Sequence, residues 1–131
     1  MIAIPKLNLI LAWAWLLGGF ASGSVLGLYF HREDWLGGYA SFPRRLYRLG
    51  HISFFGLGVV NFLFYFTVQS LALSAGPLTR AAGWAFILGA LTMPACCVLV
   101  AGHREWKNIF ALPVISLITG TCLLLWELFL C

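Results

Sequence analysis

The sequence predicts an all-α integral membrane protein, with four transmembrane helices in an up-down-up-down bundle. Hydrophobic residues make up 62% of the chain and charged residues only 9%, whereas about a quarter of the residues in an ordinary soluble domain are charged. Four apolar stretches, near 7–30, 51–73, 81–102 and 109–130, each meet the length of about 20 residues that a helix needs to cross a bilayer. The charged residues fall between these stretches, except Glu127. With so little chain left over, the expectation is a single transmembrane domain spanning 1–131.

The positive charges set an expected orientation. Arg32, Arg44, Arg45 and Arg48 lie between the first and second stretches, and Arg104 and Lys107 between the third and fourth. Lys6 and Arg80 belong to the opposite side. The side with more Lys and Arg stays in the cytoplasm, which puts both termini on the non-cytoplasmic side. The net charge of +4 is therefore a topology signal, and nucleic acid is not an expected partner. The expected surroundings are a lipid bilayer and other membrane subunits, in a bacterial inner membrane or an equivalent energy-transducing membrane.

In the first stretch, Gly19, Gly23 and Gly27 recur every four residues, a small-xxx-small seam that lets a second helix approach closely. The stretch is too long for a signal-peptide core and reads as a retained span. The connection after it is the long one. Gly37 and Gly38 mark a loop, and Ser41 followed by Pro43 marks a helix start, so the second helix is expected to begin near Pro43. Its first turns would hold Arg44, Arg45 and Arg48 at the interface, towards headgroups or a partner.

Along the second helix, His51, Gly58, Asn61, Tyr65 and Gln69 fall within about 80° of one another at 100° per residue. Asn61 sits deep in the span and must hydrogen-bond inside protein. In the third helix, Gly89, Thr92, Cys96 and His103 share a face of about 60°, which pairs Thr92 with Asn61 as the expected contact. Gly76-Pro77 stops and restarts the chain between these helices, and Pro94 frees a carbonyl inside the third. Pro113, Ser116, Gly120 and Glu127 share a face of the fourth helix. Trp35, Tyr39, Tyr47 and Trp106 read as anchors at one membrane edge, Trp84 and Trp126 at the other. Trp13 and Trp15 are expected to face lipid or a neighbouring subunit. The cysteines read as small apolar residues, and Cys131 is too close to the end to start a prenylation motif.

Two near-copies, His31-Arg32-Glu33-Asp34-Trp35 and His103-Arg104-Glu105-Trp106, follow the first and third spans, and His51 opens the second. All three histidines are thus expected near one membrane face. Haem iron takes axial imidazole from facing helices, so His51 and His103, with His31 as a substitute, are the candidate cofactor residues. The nearby arginines suit propionates. An N/O metal site would need the same histidines with Glu33, Asp34 or Glu105. Four spans with edge histidines and arginines resemble membrane cytochromes in a general way, with no motif from which residue roles transfer.

The sequence holds no nucleophile elbow, P-loop, dinucleotide fingerprint or zincin box. The functional expectation is a small non-catalytic accessory subunit packed within a larger, energy-transducing membrane complex. In that reading Gly19, Gly23, Gly27, Asn61, Thr92, Arg44, Arg45 and Arg48 are packing or interface residues, and no cofactor is required. The alternatives are a haem b or metal protein in electron transport, and a small transporter using Asn61 and Glu127.

Overall fold

A computed structural model describes residues 4–73 and 76–130. Ser74 and Ala75 of the second connection, and Cys131, lie outside the described residues. The described residues are all helix and turn: α1 (Ile4–Tyr29), α2 (Phe42–Ser70), α3 (Pro77–Gly102) and α4 (Ala111–Leu130), with short 3-10 turns at Trp35–Gly37 and Arg104–Phe110. Each long helix, with the turn leading into α4, is long and apolar enough to cross a membrane.

Local chemistry explains the boundaries. Ser41 caps α2 by accepting the Arg44 N–H at 3.3 Å, while its own hydroxyl donates to the Leu36 carbonyl at 2.7 Å. Pro43 stands in the first turn, where its missing N–H is harmless. Gly37 and Gly38 take φ values of 84° and 94°, which glycine adopts without steric penalty. Pro77 starts α3 one turn before residue 81. α1 begins at Ile4, which brings Asn8 into its second turn.

α3 is the most enclosed helix and packs against both α2 and α4, while α1 packs mainly on α2 and touches α3 over a smaller area. Phe64, Val68, Leu73, Ala82 and Phe86 form a buried cluster that Leu117, Leu124 and Leu128 of α4 pack against. Glycines set the close approaches. A Cβ on Gly83 would lie 2.5 Å from Ile4 Cγ2, one on Gly89 2.6 Å from Leu117, and one on Gly19 2.7 Å from the Phe55 ring. Across the pairs, Gly18 meets Phe54 and Gly23 meets His51, while Gly50 meets Cys97. Ser116 Oγ donates to the Ala85 carbonyl at 2.7 Å, and Cys96 Sγ to the Ile109 carbonyl at 3.6 Å.

Three expectations about faces are corrected. Asn61 does not meet Thr92. It accepts a hydrogen bond from Asn8 Nδ2 at 2.8 Å and donates to the Leu57 carbonyl at 2.8 Å and the Phe86 carbonyl at 3.5 Å. Thr92 donates back to Leu88 of its own helix at 2.7 Å, so its hydroxyl is satisfied without a neighbour. The offset is also one of depth. Asn61 is level with Phe86, and six residues of helix rise separate Phe86 from Thr92, about 9 Å. Second, Gly89 and Cys96 turn towards α4, because α3 has two covered sides and its small residues are divided between them. Third, Trp15 is half-buried and donates its indole N–H to the Ala90 carbonyl of α3 at 3.1 Å, whereas Trp13 is exposed.

Gly19 and Gly27 test this seam, since both lie on it but only Gly19 is covered. Gly19→Leu is expected to lower stability by about 1–3 kcal/mol through overpacking, and Gly27→Leu to leave it unchanged. Unfolding titrations of both variants in mixed micelles check this; equal losses would mean that α1 and α2 meet differently.

Candidate functional site at the loop end of α1 and α2

The loop end is built around Arg44. Its side chain is only 3% exposed although it carries a full charge. Its guanidinium donates to the backbone carbonyls of Phe30 at 3.3 Å, Arg32 at 3.4 Å and Glu33 at 3.3 Å. The rings of Phe30, Trp35 and Tyr39 lie 5.4–5.6 Å from it. These carbonyls follow directly on the last turn of α1, where the helix dipole is negative, so a cation is favoured there. Arg44 therefore faces the chain's own connection, not headgroups or a partner as expected. The change follows from the cap: Ser41 fixes the first turn of α2 so that position 44 points back under the loop.

Arg45 is exposed. Arg48 lies 4.1 Å from the Tyr39 ring centroid and donates to the Tyr39 carbonyl at 3.3 Å. Arg104 rests 4.9 Å from the Phe42 ring, which ties the α3–α4 turn to the start of α2.

His51 lies one turn deeper, on the α1–α2 seam. A Cβ on Gly23 would lie 2.7 Å from its ring, so glycine at 23 makes room for the imidazole. His51 Nδ1 is 3.0 Å from Ser22 Oγ, and Ser22 Oγ donates to the Gly19 carbonyl at 3.1 Å. The direction of the His51–Ser22 hydrogen bond depends on the imidazole tautomer. His51 borders two grooves. One, of about 500 Å³, is apolar and lies against Trp15, Tyr47, Phe54 and Pro94. The other, of about 660 Å³, runs past Leu26 and Gly27 to Arg45 and Arg48.

The structure does not bring the three histidines together in either groove. His103 ends α3, stacks on Trp106 with ring centroids 5.0 Å apart, and pairs with Glu105 at 3.4 Å in an exposed position. His31 is exposed on the connection. No group of three or more His, Cys, Asp or Glu is placed to hold a metal ion among the described residues. Asn61 is buried and hydrogen-bonded, Glu127 is half-buried near the end of α4, and neither borders either groove.

Sequence reasoning passed over Asn8 and Ser22. Both had a signal: Asn8 is the sole amide in the first span, and Ser22 sits three residues after Gly19 on the seam. The chain matches no family model, no curated protein and no solved structure.

Arg44→Gln removes the charge but keeps an amide that can donate. It is expected to cost about 1.5–3 kcal/mol and to speed amide exchange across the Phe30–Ser41 connection, and Arg44→Lys is expected to rescue little because it lacks the planar fork. Hydrogen exchange by mass spectrometry checks this; unchanged protection of residues 30–41 in Arg44→Gln would refute the clamp.

Proposed function

We propose that the chain is a small, non-catalytic integral membrane subunit that packs within a larger membrane complex, with an energy-transducing complex of a bacterial inner membrane or its equivalent as host. The observation that carries this reading is the placement of α4. It rests chiefly on α3 and turns Leu112, Ile115, Ile118, Trp126 and Phe129 outward. An outward apolar face of this kind is a surface against which a neighbour's spans can pack.

The order of contacts supports an up-down-up-down path. Ala12 lies by Gly58 and Gly23 by His51; Asn61 meets Phe86 and Gly50 meets Cys97; Gly120 meets Phe86 and Ile109 meets Cys96. In each pair of helices the numbers rise on one side as they fall on the other. Six of the eight Lys and Arg residues then gather at the end that carries both longer connections. This favours a cytoplasmic position for that end, with the start of α1 and the end of α4 on the other side.

A second reading, a haem b protein in electron transfer, is favoured by His51, whose imidazole borders a groove that leads to Arg45 and Arg48. His103 is exposed and already paired with Glu105, so a second axial ligand would have to come from another chain or be absent.

One experiment separates these readings. A photo-crosslinking residue at Ile115 or Ile118, introduced in the native membrane, is expected to trap a distinct protein partner, and the purified chain is expected to show no Soret band. Labelling of lipid alone at both positions would overturn the subunit reading. A Soret band lost in His51→Ala would establish the haem reading in its place.

A further inference from the structure

The groove of about 660 Å³ beside His51 has two ends of different chemistry. Much of its wall is apolar, formed by Gly23, Leu26, Gly27, Phe30, Leu49 and Ile52, with the rings of His51 and Trp35 beside them. Its rim at the loop end is Arg45 and Arg48, with Arg44 beneath them. The sole ion pair among the described residues is His103–Glu105, which is elsewhere, so no carboxylate of this chain neutralises the rim by contact. Glu33 and Asp34 are the acids of the facing connection. Both are exposed, and Glu33 turns its backbone carbonyl, not its carboxylate, to Arg44. Arg48 is held ready by the Tyr39 ring and carbonyl, which reduces the entropy lost on binding. At Gly27 a Cβ would meet nothing within 4 Å, so the apolar half of the groove is open next to helix backbone.

We propose that this groove is a binding site for an anionic glycerophospholipid, with the phosphate on Arg45 and Arg48 and an acyl chain along Gly23, Leu26 and Gly27. The proposal rests on the reading of the helices as membrane spans. Charge complementarity selects an anion, and guanidinium suits a phosphate. The apolar wall selects an anion that carries a hydrocarbon chain over free phosphate. Arg44 is not assigned as a direct ligand because it is buried and directs three of its five N–H groups to loop carbonyls. Its buried charge adds to the field at the rim.

The test is native mass spectrometry of the full chain in mild detergent, titrated with phosphatidylglycerol and phosphatidylcholine of equal chain length. The unmodified chain is expected to retain one phosphatidylglycerol with about tenfold or greater preference. Arg45→Gln should reduce that preference and Arg45→Gln/Arg48→Gln abolish it. Gly27→Leu should weaken both lipids together while helix content stays unchanged. Excess inorganic phosphate should not displace the lipid. Equal retention of the two lipids, a preference that survives Arg45→Gln/Arg48→Gln, or displacement by phosphate would overturn the site. Alkaline carbonate washing of membranes keeps this apart from the underlying reading. A chain that stays in the pellet but shows no preference refutes the lipid site alone; a chain that carbonate releases refutes the spans and the site with them.

Discussion

The structure depends on one buried contact, the meeting of Asn8, Asn61 and Gly83. Asn8 Nδ2 donates to Asn61 Oδ1 at 2.8 Å and to the Gly83 carbonyl at 3.0 Å, so a single side chain joins α1, α2 and α3. Both asparagines are fully buried. In hydrocarbon surroundings apolar side chains gain little by preferring one helix over lipid, so packing shape and polar contacts choose the arrangement. In a membrane an amide turned to lipid would be costly, which favours the slide and rotation that bring Asn8 and Asn61 together. The contact is not saturated: Asn8 Oδ1 has no hydrogen-bond partner among the described residues. It acts as a register device more than as a large source of stability, a role well attested for single buried amides in helical assemblies.

Close approach follows from the same point. Gly83 must be glycine because Ile4, Phe64 and Asn8 crowd its Cα. Gly19 and Gly23 then bring α1 down onto Phe55 and His51, and Gly89 and Gly120 admit Leu117 and Phe86 at the α3–α4 boundary. At the other end of the bundle Arg44 does for the long connection what Asn8 does for the spans. It ties the end of α1 to the start of α2 through backbone carbonyls and aromatic faces. Between these two fixed points lie the grooves at His51, whose ring is held by Ser22 and by the space at Gly23.

Much of the helical layout was legible in the sequence, because length, hydropathy and the Ser41–Pro43 start signal act locally. The cap at Ser41 and the start of α2 at Phe42 follow from residues within one turn. Facing was less legible. Periodicity found the stripe on α3 that holds Gly89 and Cys96, but period alone does not say which neighbour a stripe meets, and α3 has covered sides towards both α2 and α4. Depth was the second difficulty. Asn61 and Thr92 each sit mid-span by counting, yet in the structure Asn61 is level with Phe86 on α3. The histidine pattern was hard to read for a related reason. His103 has its own local partners, Glu105 and Trp106, and sequence spacing does not reveal that a residue is already engaged.

The most direct test of the buried amide contact is a double-mutant cycle of Asn8→Leu and Asn61→Leu, read by reversible unfolding in bicelles. The account predicts that each single variant loses stability and that the pair couples by about 0.6–1.7 kcal/mol, the double variant losing less than the sum. Losses that add to within about 0.3 kcal/mol would contradict it, because the two amides would then act independently and could not set the register of three helices together.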